Sequence, residues 1–186
     1  MFQELLAGLA RELDSRKLPY MVIGGQAVLL YGEPRLTRDI DITLGVGKEK
    51  LDTILQVASA LKLGIVPQDP GEFVDRTMVL PIQDMPSGIR VDFIFSFTPY
   101  ERQAIDRARK IELNGATVNF AAPEDLIIHK IFAGRPQDQS DVRSVLLKNP
   151  ELDLVYIRRW LKEFDAAFPE KGFSTLFDRI IGESGK

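Results

Sequence analysis

The chain has 186 residues, 45% hydrophobic and 27% charged, with a formal net charge of −3. That describes one sizeable core, or a core with a small helical appendage, and no global basic field for nucleic acid or anionic membrane. With no cysteine and a single histidine, His129, disulfides, thiolate chemistry and multi-histidine metal sites are excluded, so any metal must sit on oxygen ligands, which suits magnesium or manganese.

In chain order, Phe2, Leu5, Leu6, Leu9 and Leu13 recur at helical spacing and predict an amphipathic helix ending before Pro19. This N-terminal stretch carries Glu4, Glu12 and Asp14 and no long apolar run, unlike a signal peptide. No segment approaches the ~20 apolar residues of a membrane span. A cytoplasmic protein with no membrane attachment is the expectation. Tyr20–Ile23 reads as a short buried strand stopped by Gly24-Gly25, and Gln26–Tyr31 as a helix closed by Gly32 and Pro34. Asp39–Leu44 is a strand rich in β-branched residues. Leu51, Ile54, Leu55, Ala58 and Leu61 mark another helix, with Gly64 just past its end.

Between residues 65 and 88, Val66, Met78, Val79, Leu80 and Ile82 suggest one or two strands. Asp69-Pro70-Gly71 and Met85–Gly88 are read as turns between them. Ile89–Phe97 is a strand, Pro99 to about Arg109 a polar helix, and Lys110–Phe120 a hairpin around Asn114-Gly115, a type I′ pair. Pro123 is placed to open a helix. Helical patterns follow over 126–132, 141–147, 154–168 and 174–181. The expected architecture is a mixed α/β (α+β) core over residues 1–122, a small mixed sheet flanked by helices, with a helical part, 123–186, packed on it.

The segment Val22–Leu44 carries the chemistry. Residues two apart on a strand point to one face, so Asp39 and Asp41 aim their carboxylates together while Ile40 and Ile42 face the other way. Asp92 alternates likewise with Val91, Phe93 and Phe95. Three convergent carboxylates could hold two magnesium ions ~3.5–4 Å apart for phosphoryl or nucleotidyl transfer, and the third could act as general base. The plainer alternative is strand-end carboxylates paired with Arg35, Arg38 or Arg90. Gly24-Gly25, between strand and helix, permits close approach of a phosphate to backbone N–H groups; otherwise it is a tight turn.

Other motifs fail. Gly45–Glu49 is no P-loop, because Ile42 and Glu49 stand where glycine and Ser or Thr are needed. An EF-hand from Asp39 would need glycine at Leu44 and glutamate at Lys50. Lys130 lies inside an apolar arc formed by Leu126, Ile127 and Ile131, so it must snorkel, shift its pKa or meet an anion such as a nucleotide phosphate. Asp138 and Asp141 could hold Lys130 or Arg135 in place, or Asp138 could simply cap the next helix. His129 is assigned to the surface or to a core hydrogen bond. Trp160, Phe164 and Phe168 are assigned to the core. Arg102, Arg107, Arg109 and Lys110 are either a basic patch or solvated surface.

Gly24-Gly25, then Arg35-x-Thr37-x-Asp39-Ile40-Asp41, then Asp92, resemble the nucleotidyltransferase (polymerase-β-like) superfamily. Gly-Gly-x-Ala, Tyr-Gly, Arg-x-Thr and Asp-Ile-Asp are most similar to its AbiEii/AbiGii toxin-type branch, whose later Lys, Arg and D-x-x-D layout is matched by Lys130, Arg135, Asp138 and Asp141. The resemblance spans roughly residues 20 to 145. It implies magnesium-dependent transfer of a nucleoside monophosphate from a triphosphate such as ATP, releasing pyrophosphate. Asp39, Asp41 and Asp92 would bind two Mg2+ or Mn2+ ions, Asp92 alternatively acting as base. Gly24, Gly25 and Lys130 would hold phosphate, supported by Arg35, Thr37, Arg38, Asp138 and Asp141. The acceptor could be RNA (tRNA in particular), a protein or a small hydroxylated molecule, and an antitoxin protein would be a partner. Gln26 and Gln137 depart from the pattern, standing where serine and a basic residue are common. A nucleotide-binding module without turnover is the alternative.

Overall fold

The computed structural model describes residues 2–96 and 98–183. It divides into two compact units, Met1–Gln26 with Thr37–Ala121, and Ala27–Leu36 with Ala122–Lys186.

The first unit is built on one mixed sheet. Its strands are β1 (Tyr20–Ile23), β2 (Asp39–Leu44), β3 (Gly64–Ile65), β4 (Val79–Gln83), β5 (Arg90–Phe95), β6 (Arg109–Leu113) and β7 (Ala116–Phe120), ordered β3-β4-β5-β2-β1-β7-β6. β2 runs parallel to β5 and β1 parallel to β7, while the other neighbours are antiparallel. Strand alternation separates two faces. Ile40, Ile42, Val91, Phe93, Leu80 and Ile82 share one and are fully buried, each contributing roughly 1.5–3 kcal/mol of apolar burial. The opposite face carries Asp39, Asp41, Arg90 and Asp92, and it is the more open one, with Asp39 and Arg90 exposed.

Helices complete this unit. α1 (Phe2–Ser15) buries Leu6, Leu9 and Leu13 and packs on β6, β7 and α3 (Leu51–Ala60). The Asn114-Gly115 hairpin is present, with both residues at positive φ. Strand β5 is shorter than expected from sequence, and Phe97 lies outside the described residues. The segment read as Asp69-Pro70-Gly71 turn is the start of a helix, α4 (Pro70–Thr77). Asp69 is its N-cap, its Oδ1 accepting from the Glu72 N–H at 2.9 Å, with Pro70 in the first turn. A further helix, α5 (Pro99–Asp106), is opened by a Thr98–Glu101 capping box.

The second unit contains the helices α6 (Pro123–Ala133), α7 (Pro136–Lys148), α8 (Leu154–Ala167) and α9 (Phe173–Glu183). Helix α8 buries Tyr156, Ile157 and Leu161. Trp160, Phe164 and Phe168 are not core, contrary to expectation. Trp160 and Phe164 are half-buried and Phe168 is exposed, and with Phe132 and Phe173 they make a partly exposed aromatic cluster, Phe132 stacking on Phe173 at 5.2 Å. One helix, α2 (Gly24–Tyr31), begins in the first unit and ends in the second. No helix among the described residues is long and apolar enough to cross a membrane.

Gly64 does not terminate α3. The left-handed residue there is Lys62, at φ 56°, where Leu63 N–H donates to Ala58 O at 2.9 Å. Lys62 is exposed. Lys62→Gly should therefore stabilise the protein by about 0.5–1 kcal/mol and raise Tm by about 2–3 °C. A calorimetric melt checks this, and a lower Tm would show that the lysine side chain stabilises this turn.

Candidate active site

Strands β2 and β5 pair in parallel with Asp39 opposite Arg90 and Asp41 opposite Asp92. Directly opposed residues on neighbouring strands share a face, with backbones about 4.8 Å apart. Asp39, Asp41, Arg90 and Asp92 thus occupy the corners of one small patch, three carboxylates and one guanidinium. Asp39 is exposed, Asp41 half-buried and Asp92 buried. Thr37 donates its hydroxyl to Asp39 Oδ1 at 3.2 Å.

The glycine pair belongs to this patch by contact. The two glycines are the first residues of α2, which starts two residues earlier than the sequence pattern suggested. Gly24 has a φ of +66°, and a Cβ there would lie 1.9 Å from Asp41 Oδ2. A Cβ on Gly25 would lie 2.4 Å from Thr37 Oγ1. Both close approaches need glycine, and they bring the N-terminus of α2 against Asp41 and Thr37. Backbone N–H groups in a first helical turn have no intrahelical acceptor and favour an anion.

Arg90 holds Asp92. Its Nε lies 3.0 Å from Oδ1 and its Nη2 2.5 Å from Oδ2. The hydrogen bond and charge of Asp92 raise the Arg90 pKa, and Asp39 and Asp41 add to it. A cation at this place is therefore felt by all three carboxylates. Of the pairings expected for the carboxylates, that of Arg90 is formed, with Asp92. Arg38 is exposed and makes no ion pair among the described residues, and Arg35 binds elsewhere.

As the side chains stand, no three acidic or histidine groups among the described residues are gathered closely enough to hold a metal ion. The backbone register nevertheless sets three carboxylates on one face, a donor set of the kind that suits an oxygen-ligated divalent ion. Asp39, Asp41 and Asp92 are the residues that would hold it, Asp92 after parting from Arg90.

Lys130, Asp138 and Asp141 form a separate cluster within the second unit. Lys130 Nζ sits 2.8 Å from Asp138 Oδ1 and 2.9 Å from Asp141 Oδ2, and all three residues are buried. Arg35 grips Asp141 with two bonds of 2.9 and 3.0 Å, and Gln137 Nε2 donates to it at 3.4 Å. Arg135 Nε reaches Asp138 at 2.6 Å, and Asp138 accepts from the Arg135 backbone N–H from inside the first turn of α7. Burial alone would raise both carboxyls. Hydrogen bonds and charge from Arg135 and Lys130 at Asp138, and from Arg35 and Lys130 at Asp141, hold both below the ordinary range. The charge of Lys130 is thus matched by two carboxylates of its own unit. His129, half-buried and with its Nε2 sealed from solvent, is pushed down to about 4, by burial first and by Lys130 second.

Beside the carboxylates the first unit opens a cleft of about 770 Å³, lined in part by Phe73, Arg76, Val79, Pro81, Arg90 and Asp92. Helix α4, unforeseen from sequence, forms one wall; its signal was Asp-Pro-x-Glu, an N-cap with proline in the first turn.

The sequence matches the family described as "Nucleotidyltransferase of unknown function (DUF6036)" over residues 1–171. The chain belongs to this nucleotidyltransferase family. Comparison with curated proteins returned no match. Solved structures share the nucleotidyltransferase fold. The solution structure of the antibiotic-resistance factor ANT(2'')-Ia superposes at TM-score 0.59 and 18% identity, covering 90% of this chain and 92% of that one. Its crystal structure with adenylyl-2''-tobramycin gives 0.58 and 18%, over 89% and 98%. An antigenic nucleotidyltransferase-like protein from Paracoccidioides brasiliensis gives 0.56 and 18%, over 95% and 91%.

Two outcomes follow for this member of the nucleotidyltransferase family. Gly24→Ala should cost about 1–3 kcal/mol in denaturant unfolding, because it strains a positive φ and drives the Asp41 carboxylate aside; an unchanged midpoint would contradict the close approach. Lys130→Met should cost about 3 kcal/mol, since it uncovers two buried carboxylates. The depressed carboxyl pKa values contribute stability above pH ~4, lost as pH falls through the folded values. The variant's deficit should therefore shrink in acid; a deficit independent of pH would mean lost packing alone.

Proposed function

We propose that this chain transfers a nucleoside monophosphate from a nucleoside triphosphate, ATP among them, to an acceptor hydroxyl, releasing pyrophosphate and depending on Mg2+ or Mn2+. The observation that carries this reading is the parallel register placing Asp41 beside Asp92, with Asp39 on the same face and Gly24 against Asp41. Asp39 and Asp41 would hold two ions with Asp92, and the first turn of α2 at Gly24-Gly25 would hold the triphosphate. Bound there, the ions would supply neutralisation of charge on the entering and leaving oxygens. Where Asp92 does not ligate the ions it would instead, freed from Arg90, take the proton of the acceptor hydroxyl. Thr37 orients Asp39. Catalysis is assigned to the first unit, and residues 123–186 to a helical part whose Lys130, Asp138 and Asp141, joined by Arg35, form a structural ion network rather than a direct phosphate contact.

Of the acceptor classes, a small hydroxylated molecule is favoured over RNA and protein. The cleft beside Asp92 is within the roughly 300–1,000 Å³ of small-molecule sites. Its charged lining mixes Asp69, Glu72 and Asp92 with Arg76 and Arg90, whereas RNA binding draws on clustered cations. The ANT(2'')-Ia crystal structure holds an adenylylated small molecule. The AbiEii/AbiGii placement, a toxin role, an antitoxin partner and a cytoplasmic location rest on sequence layout alone and stand as part of the proposal. A module of the same fold without turnover is the second reading, favoured by the Arg90 bond that occupies Asp92.

Incubation with Mg2+ and α-labelled triphosphates, alongside small-molecule extract, RNA and protein, should label the small-molecule fraction and release pyrophosphate. EDTA should abolish labelling, and Asp39→Asn and Asp92→Asn should each lower it about 100-fold or more. Label in RNA or protein would overturn the acceptor assignment, and undiminished transfer by either variant would overturn the carboxylate assignment. Tight triphosphate binding with no labelled product would establish the module.

A further inference from the structure

Arg90 is the one cation at the four corners of the patch, and both Asp92 oxygens are engaged by its guanidinium. The geometry favours this bond. Residues 90 and 92 are two apart on β5 and share a face, so the long arginine side chain folds forward onto its own strand neighbour. The Arg90 side chain is 56% exposed and that of Asp92 only 12%. The Asp92 backbone is anchored in the sheet, while the guanidinium has open space, in the cleft it lines, to move into. With Arg90 withdrawn, three carboxylates share one face, which suits divalent cations. A metal ligated by Asp92 needs oxygen lone pairs that Arg90 now uses, and it repels the guanidinium at short range.

We propose that Arg90 is a built-in counter-ion of Asp92 that a divalent cation must displace, making it the positioning residue that sets how readily Asp92 joins the metal site. This rests on the metal-dependent reading of Asp39, Asp41 and Asp92. While the site is empty of metal, Arg90 keeps Asp92 compensated and oriented. On metal entry the guanidinium swings toward the cleft and Asp92 turns toward Asp41.

The probe is Mn2+ alone, titrated without nucleotide and read by electron paramagnetic resonance of the free ion. Arg90→Gln should tighten Mn2+ binding roughly three- to fivefold, the scale of a partly exposed bidentate pair. In an Asp92→Asn background the same substitution should change affinity less than about twofold, because the competition acts through Asp92. Far-UV circular dichroism and melting confirm that each variant is folded. Unchanged or weaker Mn2+ binding by Arg90→Gln, with Asp39→Asn still weakening it, would overturn the role of Arg90 and leave the metal site standing. An equal gain with and without the Asp92 charge would also overturn it, since Arg90 would then act as a diffuse field. No Mn2+ binding by either the parent protein or Arg90→Gln at millimolar concentration would overturn the metal reading itself.

Discussion

The pairing of β2 with β5 is the constraint on which the site depends. One residue of slip would send Asp41 or Asp92 to the apolar face and an isoleucine or phenylalanine to the open one. The buried face prevents that slip. Ile40, Ile42, Val91 and Phe93 are fully enclosed, and exchanging any of them for a carboxylate would strand a charge in an apolar layer. The hydrophobic side of the sheet thereby fixes the polar side. Gly24 and Gly25 add the third dimension, because only residues without a Cβ let α2 start so close to Asp41 and Thr37.

The two ion clusters use charge differently. In the second unit, Lys130, Arg35 and Arg135 surround Asp138 and Asp141 in one network, three cations on two buried carboxylates. Burial there makes each partner necessary to the others. In the first unit, Asp39 and Arg90 are exposed and the patch holds more carboxylate than cation. An accessible patch with surplus negative charge suits a cation, whereas buried Lys130, Asp138 and Asp141, bonded to one another, suit structure.

Local patterning made much of this readable in advance. β1 and β2 were legible to the residue because short β-branched and apolar runs end at glycine or turn residues. The Asn114-Gly115 hairpin was legible because two adjacent positive φ values require such a pair. Asp39 and Asp41 could be placed on one face from period two alone. Their adjacency to Asp92 could not, since β5 lies some fifty residues on and pairing partners leave no local mark. Arg90 was legible only as one of three arginines that could pair with the carboxylates, and the register sets it opposite Asp39. Helix α4 was hidden because Asp-Pro-Gly serves a turn and a helix cap equally well, and eight residues give little periodicity. Trp160, Phe164 and Phe168, four apart, drift about 40° per step around a helix, so the aromatic row leaves the face defined by Tyr156, Ile157 and Leu161.

The nucleotidyltransferase assignment and the site chemistry meet in the claim that Asp39, Asp41 and Asp92 jointly ligate a divalent cation on the open face of the sheet. A crystal structure with Mn2+ and a non-hydrolysable ATP analogue, with the metal located by anomalous scattering, tests it most directly. The account expects manganese at about 2.1–2.3 Å from oxygens of all three aspartates, with the phosphates at Gly24-Gly25 and Arg90 turned away from Asp92. Manganese bound elsewhere, or Asp92 still held by Arg90 beside a bound nucleotide, would contradict it.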